Sequence, residues 1–188
     1  LAANTAASLA ERTAERSDYM LNKVFFNELV LDYAPSDASV PMLELFRAPG
    51  NELLPHGYTK EDDAFTFLWS GWCYLNPVFT KPNLQRAAEK MVHDFFANPT
   101  TTVFLSVWPV WPPGAPHMTL IERHCQEVKT FPKGTERLFS ISAAEAYDTH
   151  MLEKCTAEAG GAHRYFIGGT PWPVVIMYLD QYTVMKLD

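Results

Sequence analysis

The sequence predicts a single α/β domain with a mostly parallel sheet and helices on both faces. Short runs rich in β-branched and aromatic residues stop at Pro, Gly or Asn, and between them apolar residues recur at steps of three and four. Strands that alternate with amphipathic helices in this way are buried as a parallel sheet covered on both sides. A length of 188 residues with 47% hydrophobic side chains allows one core that folds without disulfides or metal.

The elements follow in order. Residues 1–16 read as an extension, and 40–180 as the core of a domain spanning 1–188. Over 17–34, Ser17 can cap a helix whose apolar positions are Met20, Leu21, Val24, Phe25, Leu29 and Val30, stopping before Pro35. Residues 40–46 form a short apolar strand that ends at the turn Ala48-Pro49-Gly50-Asn51. Trp72-Cys73-Tyr74-Leu75 suits a buried strand running into Asn76-Pro77. After Pro82 and Asn83, the positions Leu84, Ala87, Ala88, Met91, Val92, Phe95 and Phe96 share one helix face, up to Asn98-Pro99. Residues 101–108 have the composition of a central strand, closed by the Pro-rich stretch 109–116. A helix is predicted over 119–128, a strand over 138–141, a further helix from a capping box of Ser142 and Glu145, turns at Gly160-Gly161 and Gly168-Gly169, and a last buried strand over 174–179. There is no internal repeat and no low-complexity tract.

Charge and cysteines narrow the function classes. A formal charge of −7 and a pI near 5.3 argue against a broad basic face that grips nucleic acid through phosphates. If the domain acts on nucleic acid, other domains or subunits are expected to supply the affinity. Cys73, Cys125 and Cys155 are too few and too scattered for a disulfide framework, and no pair has zinc-knuckle spacing. The expected home is a reducing compartment inside the cell, the nucleus or cytoplasm first and the mitochondrion after them. No apolar run approaches the roughly 20 residues that span a bilayer.

In an open α/β sheet, ligands bind outside the carboxyl ends of the strands, and two loops fit that position. One is Phe46-Arg47-Ala48-Pro49-Gly50-Asn51; the other is Asn76-Pro77-Val78-Phe79. An Asn-Pro-x-aromatic loop suits an exocyclic amine. The Asn side-chain carbonyl and the Pro backbone carbonyl can each accept one N–H, which aims the nitrogen lone pair at a methyl donor, and the aromatic ring can stack on the base. Such stacking is worth about 1–3 kcal/mol per base.

The order of these loops, with Asp63-Ala64-Phe65 between them, resembles the adenine-N6 methyltransferases marked by Asn-Pro-Pro-Phe. It is most similar to the cap-specific mRNA adenosine-N6 methyltransferases, which also have a strand ending in Trp and paired prolines, matched by 103–111 and Pro112-Pro113. The likeness covers about residues 41–179, and a looser one links the same motifs to adenine methyltransferase domains of phages and retroelements. The resemblance implies a Rossmann-like class I methyltransferase fold with S-adenosyl-L-methionine as cofactor and adenosine-containing RNA as substrate. Glu44, Phe46, Ala48, Asn51 and Asp63 would then hold the cofactor. Asn76, Pro77 and Phe79 would do the chemistry, and Val78, Trp108 and Arg137 would contact the substrate. Val78 stands where the family has a second Pro, and Arg47 where it has a small residue. Those departures point to the alternative class: a methyltransferase fold that has lost catalysis and serves as a binding module in a ribonucleoprotein or transcription assembly.

Plainer readings stand beside these. Phe79, Trp69 and Trp72 can be core residues, and Trp108 and Trp111 can rigidify the proline loop rather than stack on a base. His117, His124 and Cys125 lack a fourth ligand, so no metal is expected. Glu61-Asp62-Asp63 can be a solvated loop, and Arg137 an exposed ion-pair residue.

Overall fold

The structure is a computed structural model and describes residues 20–47, 52–59, 61–111, 114–142, 156–157, 164–166 and 169–185. Its elements are β1 (Met20–Leu21), α1 (Lys23–Tyr33), β2 (Met42–Glu44), β3 (His56–Gly57), β4 (Trp72–Leu75), α2 (Lys81–Ala97), β5 (Val103–Pro109), α3 (Pro116–His124), β6 (Gln126–Phe131), β7 (Phe139–Ser142), β8 (Thr156–Ala157), β9 (Arg164–Phe166), β10 (Val174–Leu179) and α4 (Gln181–Met185).

The main sheet has six strands in the order β3-β2-β4-β5-β10-β6. Strands β3, β2, β4 and β5 pair in parallel. β10 is antiparallel to both neighbours, so β6 runs in the direction of β5. The protein is therefore α/β with a mostly parallel central sheet, compatible with a Rossmann-like arrangement.

Side-chain alternation sends the two faces of the sheet to different helices. On one face Phe26 of α1 lies edge-on to Tyr74 at 4.7 Å, Tyr33 packs on Tyr178 at 4.9 Å, and Trp72 Nε1 donates to the Tyr33 carbonyl at 2.7 Å. On the other face Asp94 of α2 is buried, accepting from Trp69 N at 2.9 Å and pairing with Lys90 Nζ at 2.8 Å. His117 of α3 lies over Trp108 on that same side.

The predicted strand at Trp72–Leu75 and the last strand at Val174–Leu179 form as expected, and so does the long helix. Four expectations are corrected. The leading helix starts at Lys23 rather than near Ser17, because Met20 and Leu21 pair with Ser140 and Phe139 and Asn22 caps the helix by accepting from Val24 N at 2.9 Å. Ser17 itself lies outside the described residues. The predicted helix over 119–128 shifts to Pro116–His124: Cys125 turns extended and Gln126–Phe131 becomes the outermost strand. Phe96 is 50% exposed on α2, its expected place in the core taken by Asp94. The strand predicted over 138–141 joins a separate antiparallel sheet, β1-β7-β9-β8, not the main one. Ser142 ends β7, while Glu145, Gly160-Gly161 and Gly168 lie outside the described residues.

Candidate functional site

Glu44 and Tyr74 face each other across the parallel pair β2/β4, and Leu45 N donates to the Tyr74 carbonyl at 3.0 Å. The loops that follow these two strands therefore leave the same carboxyl edge side by side. Both expected motifs begin there, one directly after Glu44 and the other at Asn76.

The second loop is short. Thr80 N donates to the Val78 carbonyl at 2.8 Å, Leu84 N donates to the Thr80 carbonyl at 2.9 Å, and α2 opens with Pro82 in its first turn, where a missing N–H costs nothing. Asn76 is 5% exposed, Pro77 is buried and Val78 half-buried. Phe79, 7% exposed, sits edge-on against Phe139 at 5.7 Å and Trp172 at 6.4 Å, which places its ring in the seam between the two sheets. An aromatic chain continues from it: Trp172 meets Trp111 at 5.9 Å, and Trp111 meets His117 at 5.9 Å. Burial lowers the His117 pKa, so this ring is neutral packing, with Nε2 facing the Pro109 carbonyl at 3.4 Å.

The first loop is polar inside. Glu44 is fully buried, and its Oε2 accepts from Leu53 N at 2.9 Å and Leu54 N at 3.1 Å. Burial pushes its carboxyl up to about 7, against the opposing pull of those amides and of Arg47; Glu52 adds to the rise. Glu44 Oε1, the Tyr74 hydroxyl and Arg47 Nε are all buried without a hydrogen bond among the described residues. The Tyr74 hydroxyl is held well above its usual pKa, first by burial and then by Glu44. Arg47 folds back toward β3, its Nη2 3.4 Å from the Pro55 carbonyl. Gly57 makes room for it: an added Cβ would collide with the Glu44 carbonyl oxygen and come within 3.0 Å of Arg47 Cδ.

The remaining expected residues scatter. Phe46 packs edge-on against Phe65 at 5.4 Å and Trp69 at 6.0 Å. Asp63 is exposed, with φ of 48°, and starts the turn Ala64–Thr66 by accepting from Phe65 N at 3.3 Å. Trp108 is fully buried with Nε1 donating to Ser106 Oγ at 2.7 Å, so its ring offers no surface to a base. Arg137 is exposed in the turn before β7, and its carbonyl accepts from Asn22 Nδ2 at 2.9 Å. Ala48 and Asn51 lie outside the described residues.

The structure thus brings Glu44 to Phe46 and Asn76 to Phe79 to one edge. It keeps Trp108 in the core, and Asp63 and Arg137 on outer turns. Trp172 and Tyr74 were missed. Trp172 had a signal, being flanked by Pro171 and Pro173 just before the last strand, in the same manner as Trp111 among its prolines. Among the described residues no three His, Cys, Asp or Glu side chains gather to hold a metal ion, and no helix is long and apolar enough to cross a membrane. In comparisons with known proteins, no family model matches the chain and no curated protein matches it.

Proposed function

We propose that this chain is a methyltransferase domain that uses S-adenosyl-L-methionine to methylate N6 of adenosine in RNA, at the cap-adjacent position that the resemblance implies. One observation carries the reading: the two motif loops leave adjacent parallel strands at a shared carboxyl edge, joined by the Leu45 N to Tyr74 O bond. Ligands of open α/β sheets bind at such an edge. A reversed strand inserted between parallel ones, as β10 is between β5 and β6, also suits a class I methyltransferase sheet.

The cofactor supplies the methyl group when bound. Glu44 Oε1, the Tyr74 hydroxyl and Arg47 Nε form a buried set of donors and acceptors that fits a ligand rich in hydroxyl and amine groups. Asn76 and Pro77 orient the adenine amine through two carbonyl oxygens. Transfer from a sulfonium is an in-line displacement, so positioning does the work and no general base is required. Asn76 is only 5% exposed, and its loop is packed through Phe79 on Phe139 and Trp172.

The burial of that same loop favours a second reading, a binding module without turnover. Methyl incorporation into adenosine-containing RNA separates the two. The enzyme reading expects N6-methyladenosine from the wild type and a loss of about 100-fold or more in Asn76→Ala, the scale of a misplaced reacting group. Cofactor binding without any incorporation supports the binding module, and full turnover by Asn76→Ala refutes the role given to that side chain.

A further inference from the structure

On the face of the sheet that carries α2 and α3, none of the described residues covers the outermost strip. A groove of about 350 Å³ opens there between α3 and the β10/β6 ladder, far from the Asn76 loop in the strand order. Its floor is Met118, Cys125, Val175 and Met177, all buried, and its rim carries Glu122 and Glu127, both exposed. Burial pushes the Cys125 thiol up to about 12, so it is an apolar part of the floor and not a nucleophile.

We propose that this groove docks an extended basic segment of a partner protein, laid along β6 with an arginine or lysine side chain in the groove. The chemistry of the walls selects that occupant. Thioethers and a valine take the aliphatic stem of a long cation, and carboxylates at the rim meet its head, the arrangement that long basic side chains adopt at the border of apolar surface and water. Neither Glu122 nor Glu127 is in an ion pair among the described residues. Thr130 Oγ1 donates to Glu127 Oε1 at 2.6 Å, which fixes that carboxylate on the rim. Lys129 does not neutralise them, because it lies on the opposite face over Phe25 and Phe131, 5.5 and 5.0 Å from the ring centroids. An overall charge of −7 adds attraction for a basic partner.

The backbone supplies the second half of the site. Among the described residues β6 pairs only with β10, so its other edge presents a row of amide N–H and carbonyl groups. An added strand satisfies that row, while the groove reads its side chains. The register of β10 against β6 shifts between Ile176 and Met177, beside the groove floor.

The test is fluorescence anisotropy of a labelled heptapeptide alternating arginine and valine, titrated with the whole chain at low salt. Saturable binding is expected, at least tenfold weaker in the double variant Glu122→Gln, Glu127→Gln with unchanged melting, and absent for a peptide with glutamate in place of arginine. Amide exchange should slow over residues 126–131 when the peptide is bound. No binding, equal binding by the double variant, or protection elsewhere overturns the proposal. Binding of free arginine ethyl ester at the same concentration replaces the peptide with a small cation. Self-association abolished by the same two substitutions replaces it with a second copy of the chain.

Discussion

The loop after β2 and the loop after β4 leave neighbouring strands, yet different physics holds each of them. Residues 76–79 are fixed by packing, with Phe79 wedged edge-on between Phe139 and Trp172. The loop after β2 is fixed by a buried carboxylate that gathers the Leu53 and Leu54 amides, with Arg47 turned toward Pro55. Packing is insensitive to pH and gives way only when atoms are removed. A buried carboxylate responds to protons and leaves polar atoms available to a ligand. In one corner, then, the fold sets a rigid wall beside a polar, tunable floor, and each half can be broken separately.

The largest effect is expected from Phe79→Ala, which removes a buried ring at the seam of two sheets and should cost about 3–5 kcal/mol in urea unfolding. A value below 1 kcal/mol would mean that the loop is not held by packing. Glu44→Ala comes next. It strands two buried amides and should cost about 1–3 kcal/mol.

The same residue gives a pH signature. With its carboxyl raised from 4.5 to about 7, the folded chain holds a proton that the unfolded chain releases. Glu44 therefore contributes stability fully below pH 4.5 and loses it as pH rises through 7. Urea midpoints should fall between pH 5 and 8 in the wild type, and this part of the fall should vanish in Glu44→Gln.

The smallest effect is expected from Val78→Pro. The Val78 amide donates no hydrogen bond among the described residues, so a ring there should stabilise the fold by about 0.4–1 kcal/mol through the unfolded state. Destabilisation would show that the backbone at Val78 cannot adopt the φ that proline requires.

Much of the central sheet was legible in the sequence. Trp72–Leu75 and Val174–Leu179 are continuous apolar runs closed by proline or a polar residue, and α2 has a long stripe after Pro82. The small sheet was not legible. β1 has two residues, and its partner Phe139 lies far along the chain, so no local periodicity marks the pairing. Cys125 shows a related limit, since the apolar steps of α3 run on into β6 and only the backbone at Cys125 separates helix from strand.

At the site, the Asn-Pro pair at the end of β4 was visible because proline ends a strand. The clamp of Glu44 on Leu53 and Leu54 was not, since a buried acid and the amides that hold it have no sequence signature. Trp108 and Trp172 both stand beside prolines in the sequence, but Trp108 lies buried within β5, and Trp172, just ahead of β10, is the ring that reaches Phe79.

Whether the edge shared by β2 and β4 takes S-adenosyl-L-methionine is tested directly by the unfolding free energy measured with and without the cofactor. A ligand that binds only the folded chain, at 100 times its dissociation constant, adds about 2.7 kcal/mol. A gain of that size is expected in the wild type, and a smaller gain at the same concentration in Glu44→Ala. No gain in the wild type with either the cofactor or its demethylated product would rule out cofactor binding at this edge.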